Sequence, residues 1–370
     1  MTAGPLRLLA LVPYPPDRAP GQRYRIEQWQ PRLEALGVHC ELFPFEDDAL
    51  YGIMERPGAW ARKSASLAAA AWRRWDVLRH LDAWDAVFLH REAMILGPAL
   101  IEPFVARRRP ILFDFDDAIW MPRANPMNPL ARFLKFQGKT AAIARMASAV
   151  LAGNRYLADW AGQFNDHVHV VPSTIETTGE YARTKTHRPT DRPTIGWSGS
   201  FSTIQYLIGL RPMLQTLRQS VPFSLRVICN GPPLAWPELD LEWRPWSSAR
   251  EVDDLLDLDI GLMPQPDDAW TRGKCGMKAL QYMALGIVPV TSRSGVLPAI
   301  IEDGVNGRLA GTTEEWIASL RALATDWTAR AAMGARARAT VEQGFSAAAH
   351  APRVAGIVRD LVQRPRVAGG

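Results

Sequence analysis

Short apolar runs alternate with longer segments of helical period along the whole chain. Candidate strands fall at Leu6–Val12, Cys40–Phe43, Ala86–His90, Ile111–Phe115, Ala149–Ala152, Val168–Val171, Thr194–Trp197, Leu225–Cys229, Asp259–Met263 and Ile287–Thr291. Helix-period segments lie between them at Arg23–Leu36, Ala93–Arg107, Pro129–Met146, Thr203–Arg218 and Ala249–Leu256, and a last one covers Ser346–Val362. Strand-then-helix alternation predicts parallel sheets covered on both faces, an α/β architecture. The chain, at 370 residues, exceeds the size at which a single core keeps growing, so two domains are expected. The stretch 173–192 is polar and lacks apolar periodicity, which reads as a linker. Four segments follow: a first α/β domain over 1–172, the linker over 173–192, a second α/β domain over 193–345, and a terminal helix within 346–370.

One run carries more chemistry than the rest. From Gly273 to Gly286 the sequence reads GKCGMKALQYMALG, followed by an apolar strand. A helix opening near Cys275 and closed by Gly286 puts Lys274, Lys278 and Gln281 on one stripe and Met277, Leu280 and Ala284 on the opposite, core-facing stripe. Two lysines four apart repel each other in an isolated helix. At a helix N-terminus, where unpaired N–H groups and the dipole favour negative charge, they make sense if an anion binds there. A solvated basic turn is the alternative. The glycine-rich approach and the lack of any carboxylate between Lys274 and Gln281 favour a phosphate site.

Hydrophobic residues at 47% and charged residues at 22% describe an ordinary globular protein. Cys40, Cys229 and Cys275 are odd in number and far apart, which points away from a disulfide framework or zinc site and towards a reducing, cytoplasmic compartment. No apolar run approaches the roughly 20 residues that span a bilayer. The net charge of +5 suits anionic small molecules or an anionic surface. No nucleic-acid-binding motif is present, so nucleic acid is not expected as a partner. The stretch Arg56–His80 sets Arg62, Lys63, Arg73, Arg74 and Arg79 among Trp60, Trp72 and Trp75. Such a helix either lies on an anionic membrane surface, peripheral at the inner membrane face, or packs with a solvated basic side.

The second half opens with TIGWSGSFST over residues 194–203, a strand running through a loop of small residues into a helix. Gly199 permits close backbone approach, and Ser198, Ser200, Ser202 and Thr203 can donate to an anion or cap the helix. Ligands of parallel α/β sheets bind beyond the carboxyl ends of strands, where this loop and the lysine run both fall.

Taken in order, GQRYRI at 21–26, ILFDFDDAIW at 111–120, GWSGS at 196–200, DIGLMP at 259–264, the run 274–289 and GVLPAIIEDGVNG at 295–307 resemble the GT-B-fold retaining glycosyltransferases of family 4, group 1. The resemblance covers nearly the whole chain. It implies two Rossmann-like domains facing each other across a cleft, with the terminal helix returning to the first. It also implies a metal-independent hexosyl- or glycosyltransferase that moves a sugar, with retention, from a UDP or GDP sugar to a glycan or lipid-linked acceptor in surface polysaccharide or glycoconjugate synthesis. No cofactor is implied beyond the donor itself.

Departures from the family pattern shape the candidate site. The family's two glutamates, eight positions apart, are replaced here by Gly273 and Gln281. Its diphosphate-gripping Arg and Lys near the start of the second domain are replaced by Ser200 and Gln205, which leaves Lys274 and Lys278, with Arg272, to neutralise the leaving diphosphate. Ser198, Gly199, Ser200, Lys274, Lys278 and Gln281 are the donor-binding candidates. Trp246 joins them in the run Arg244–Ser247, where the family contacts the base, and Glu251 follows it. In the first domain Asp116 stands where the family often has a histidine. It either contacts the sugar or takes the acceptor proton, or it caps a helix or sits in a buried network. Asp114, Asp116 and Asp117 together leave a metal as a minor option. His90 is a lesser catalytic candidate, and Arg23 and Arg25 are candidates to meet an anion. A sugar-nucleotide epimerase and a non-catalytic scaffold, the latter favoured by the missing glutamates, remain the rival readings.

Overall fold

The computed structural model describes residues 4–54, 58–95, 97–121, 136 and 138–364. The chain divides into two compact units, Met1–Ser173 with His350–Gly370, and Thr174–Ala349.

The first unit holds a six-stranded parallel sheet of β1 (Leu6–Val12), β2 (Val38–Pro44), β3 (Ala86–His90), β4 (Ile111–Phe115), β5 (Ala149–Ala152) and β6 (Val168–Val170), in the order β2-β1-β3-β4-β5-β6. Every residue of β3, β4 and β5 is buried, because helices cover both faces of the sheet. That is why these strands read as apolar runs, broken only by His90 at the end of β3 and Asp114 in β4. The second unit repeats the plan with β7 (Thr194–Gly199), β8 (Ser224–Cys229), β9 (Leu241–Pro245), β10 (Ile260–Met263), β11 (Val288–Ser292) and β12 (Arg308–Ala310), in the order β12-β11-β10-β7-β8-β9.

The two strands absent from the sequence reading, β9 and β12, are the edges of the second sheet. Edge strands are short or charged because they face solvent. β9 carries Glu242, which binds Arg226 and Arg244, and β12 has three residues.

Several helical segments are shorter than their periodicity suggests. The segment read as Arg23–Leu36, preceded by a helical turn at Pro20–Gln22, breaks into a π-helical turn at Arg23–Glu27 and the helix Gln28–Ala35, with Arg25 outside helical geometry (φ −123°, ψ −106°). The segment read as Ala93–Arg107 is helical only over Ile101–Ala106, since Gly97 has φ +84° and Pro98 restricts the residue before it. Of Pro129–Met146, Lys139–Met146 is helical, and 129–135 and 137 lie outside the described residues.

The polar stretch read as a linker over 173–192 is packed into the second unit from Thr174 onward. Ile175 bridges to Ser346, Tyr181 is 2% exposed, and the His187 ring bonds the Gly286 carbonyl at 2.9 Å. The helix Ala347–Gln363 carries the chain back to the first unit. There Arg353 donates to the Val170 carbonyl at 2.8 Å and Arg359 to the Leu36 carbonyl.

Candidate functional site

In the first unit, chemistry gathers where β3 and β4 end. Asp114, the fourth residue of β4, is fully buried and accepts from Arg25 and, at 2.7 Å, from the Nδ1 position of His90. Arg25 also donates to the Val171 carbonyl at 2.7 Å and lies 4.9 Å from the Trp29 ring centre. The π-helical turn turns this arginine inward, an irregularity that often marks functional positions. Arg25 is therefore fully buried in an internal ion pair and does not face a ligand. Arg23, 8% exposed, lies 4.0 Å from Asp17.

Two residues beyond β4, Asp116 accepts from Arg91 at 2.8 Å. Arg91 follows β3 with φ +62°, a left-handed conformation that costs energy and tends to be kept at functional sites. Burial alone would raise the Asp116 carboxyl. The Arg91 charge, helped by His90 and Arg25, outweighs it and holds the group well below the usual carboxylate range. A carboxylate held ionised in this way is a poor proton acceptor at neutral pH. The His90 ring is held through its Nδ1 position by Asp114.

His90 and Arg91 line a cavity of about 250 Å³ together with Tyr14, Arg18, Gly21 and Gln22. Gly21 presses against the ion pair: a Cβ there would lie 2.6 Å from Asp116 Oδ2 and 2.8 Å from Arg91 Nη2. Among the described residues no group of three or more His, Cys, Asp or Glu side chains is arranged to hold a metal ion. Asp114 and Asp116 are each engaged by an arginine instead.

In the second unit the lysine run folds differently from its reading. Helix Met277–Ala284 starts two residues later than expected, after Gly276 in a left-handed conformation (φ +70°). Lys274 therefore precedes the helix, its ammonium 5.0 Å from the Trp270 ring centre. Every residue from Ala279 to Ala284 is buried, so the helix has no open stripe. Met277, expected in the core, is half-buried. Arg272 is paired with Asp267 at 2.9 Å on the surface.

Lys278 reaches towards the carboxyl end of β7. Its ammonium lies 3.4 Å from Thr203 Oγ1 and 5.2 Å from the Trp197 ring centre. Gly199 makes room for this arrangement, since a Cβ there would lie 2.4 Å from the Trp197 ring and 2.7 Å from Lys278 Cε. Burial, reinforced by repulsion from Lys274, lowers the Lys278 amine to about 8. Among the described residues no carboxylate lies within ion-pair distance of it. The hydroxyls of Ser200, Ser202 and Thr203 cluster beside it, with Ser200 Oγ 2.9 Å from Ser202 Oγ and 3.4 Å from Thr203 Oγ1. Ser198 is 6% exposed, and its amide donates to the Tyr282 hydroxyl at 2.9 Å.

Gln281 belongs to a separate network. Its amide donates to the Tyr181 hydroxyl at 2.8 Å, Tyr181 lies 3.3 Å from Glu251 Oε2, and the Trp246 indole donates to Glu251 Oε1 at 3.0 Å. Two sequence candidates, Gln281 and Trp246, are thus joined through Tyr181 and Glu251; Tyr181 was missed because it stands in a stretch read as linker. Arg91 was also missed, although the run His90-Arg91-Glu92 directly after an apolar strand was a usable signal.

Residues 192–326 match the family model described as glycosyl transferases group 1. Among solved structures, sucrose-phosphate synthase from Thermosynechococcus elongatus is similar with a TM-score of 0.71 at 12% identity, over 96% of this chain and 99% of that one. A glycosyltransferase from Rickettsia africae gives 0.67 at 11% identity, over 98% and 100%. HepE from Anabaena, solved with UDP and glucose, gives 0.61 at 14% identity, over 96% and 100%. No curated protein matches the sequence.

Proposed function

We propose that this chain, whose fold is that of the GT-B glycosyltransferases, binds a nucleoside diphosphate sugar on its second unit and transfers the sugar to an acceptor held by its first. The observation that carries this reading is Lys278, a partly buried ammonium beside three hydroxyls with no carboxylate partner among the described residues. A cation kept in that state is stabilised by a bound anion, and a leaving diphosphate is an anion whose charge grows in the transition state. Lys278, Thr203 and the neighbouring serines would hold the diphosphate oxygens. The chain of Gln281, Tyr181, Glu251 and Trp246 would hold the nucleoside, with Glu251 supplying the charge that Gln281 lacks.

In the first unit, His90 would take the proton of the acceptor hydroxyl, oriented by Asp114. Asp116, kept ionised by Arg91, would accept a hydrogen bond from a sugar hydroxyl. Positioning and charge stabilisation then supply most of the rate, and the transfer retains the anomeric configuration. UDP is the leading nucleotide, because the similar HepE structure was solved with it. A glycan or a lipid-linked sugar is the acceptor class.

The absence of the paired family glutamates favours a second reading, a nucleotide-sugar-binding protein without turnover. A thermal-shift panel of UDP, GDP, ADP, CMP and dTDP compounds, followed by a turnover assay, separates the two. Ligand at about 100 times its dissociation constant adds roughly 2.7 kcal/mol to stability, enough for a rise of several degrees. We expect one nucleoside diphosphate to stand out, with turnover of its sugar that persists in EDTA. Binding without transfer or hydrolysis would favour the scaffold reading. Loss of turnover on chelation, restored by Mg²⁺ or Mn²⁺, would bring a metal into the reaction.

A further inference from the structure

We infer that the outward side of the helix Trp60–Leu78 docks on an anionic phospholipid surface. The helix is fastened to the first unit by its own basic residues. Arg74, fully buried, donates to the carbonyls of Phe43 and Val12 at 2.6 and 2.8 Å, and Lys63 donates to the Met54 carbonyl at 3.2 Å. Those two cations are anchors. The aromatic residues that remain do not serve the core: Trp60 is 61% exposed, Trp72 65% and Trp75 41%.

At 100° per residue, Trp60, Trp72 and Trp75 share one side with the exposed Ala61, Ala65 and Ala68. An outward face dominated by tryptophan and alanine, with only Ser64 inside it and Asp76 at its edge, is unusual for a helix whose packing is already complete. Exposed arginines border it. Arg62, Arg73 and Arg79 lie on or next to the helix, and Arg79 sits 5.6 Å from the Trp72 ring centre. The patch continues through Phe104, whose ring centre is 5.1 Å from that of Trp75, to Arg108, 3.7 Å over Phe104, and the exposed Arg107.

Carboxylates near the patch are engaged, Asp76 with Arg79 at 3.7 Å and Asp47 with Arg73 at 2.9 Å. Indole rings prefer the headgroup level of a bilayer, and arginines beside them gain from anionic lipid. A second copy of this chain would present the same cations and repel. Among the described residues no helix is long and apolar enough to cross a membrane, so the contact is peripheral.

The test is co-sedimentation of the full chain with phosphatidylcholine vesicles, with and without about one-third phosphatidylglycerol. The expected result is binding to the mixed vesicles alone, weakened by salt at about 1 M. The Trp60→Ser/Trp72→Ser variant should reduce it about tenfold or more, with the melting temperature unchanged. An Arg62→Ser/Arg107→Ser/Arg108→Ser variant, which leaves the tryptophans in place, should lose the preference for anionic lipid. Equal binding to neutral vesicles, no binding, or full binding by the tryptophan variant would each overturn the inference. So would a dimer in light scattering that the tryptophan variant dissociates, which would make the face a self-interface.

Discussion

Replacing Lys278 with methionine is expected to remove recognition of the diphosphate while leaving the fold at least as stable. Contacts between an ammonium and phosphate oxygens are worth roughly 1.5–3 kcal/mol, a loss of about ten- to a hundredfold in affinity. The nucleoside alone should bind as before. The methionine fills similar space and no longer places a charge beside Trp197 and Lys274, so the melting temperature should hold or rise. pH adds a second signature. The amine lies at about 8 in the folded chain against 10.5 for an ordinary lysine. The unfolded state therefore binds more protons between those values, and stability rises with pH across that window. Diphosphate affinity runs the other way, falling as the pH passes 8 and the ammonium loses its proton. Calorimetric titration with the diphosphate and the nucleoside, at several pH values, reads both trends. Equal losses for the two ligands, or a less stable variant with normal affinity, would remove Lys278 from the site.

Gly21→Ala should be nearly as damaging as Asp116→Asn, although it removes no chemical group. The new methyl would fall within 3 Å of both partners of the Asp116–Arg91 pair. Displacements of about 1 Å in a reacting site can lower turnover by about a hundredfold. Asp116→Asn should lower turnover as well, with nucleotide affinity unchanged. It should also cost roughly 1–3 kcal/mol of stability, because Arg91 loses a charged partner. The ionised Asp116 carries a stability contribution that is full above the ordinary carboxylate value of 3.8 and is lost as the pH falls below it, so the variant should show a flatter acid limb. One rate measurement and one unfolding scan per variant decide the matter. Full turnover by Gly21→Ala would show that the pocket is not where transfer occurs.

Much of the architecture was legible because both sheets are covered on two faces. Strands such as Ala149 to Ala152 and Ile260 to Met263 then have to be apolar throughout, and a run of that kind stands out. The edges of the second sheet carry Glu242 and Arg308, which satisfy solvent and neighbours instead of a core, so their strands left no periodic trace. Of the candidate site, the residue types were legible in the sequence and the geometry much less so. Lys278 is a candidate by its place in a glycine-rich run, but the helical wheel could not show that Gly276 would take a left-handed turn and separate Lys274 from it. Neither could one dimension show that Arg25 would turn inward to Asp114, or that Tyr181 would join Gln281 to Glu251. Those contacts span 89, 100 and 70 residues of sequence, and pairing at that range is set by the fold as a whole.

The return of the last helix to the first unit has a consequence for how the protein is made. The second unit is one contiguous stretch, Thr174–Ala349, and is complete once those residues have left the ribosome. The first unit, although its sheet is synthesised earliest, waits for the residues from His350 onward, among them Val354 and Val358, which are buried, and Arg359, which caps the Leu36 carbonyl. Order of synthesis and order of completion are thus reversed. Until the helix arrives, the nascent first half exposes an apolar surface that a chaperone would meet.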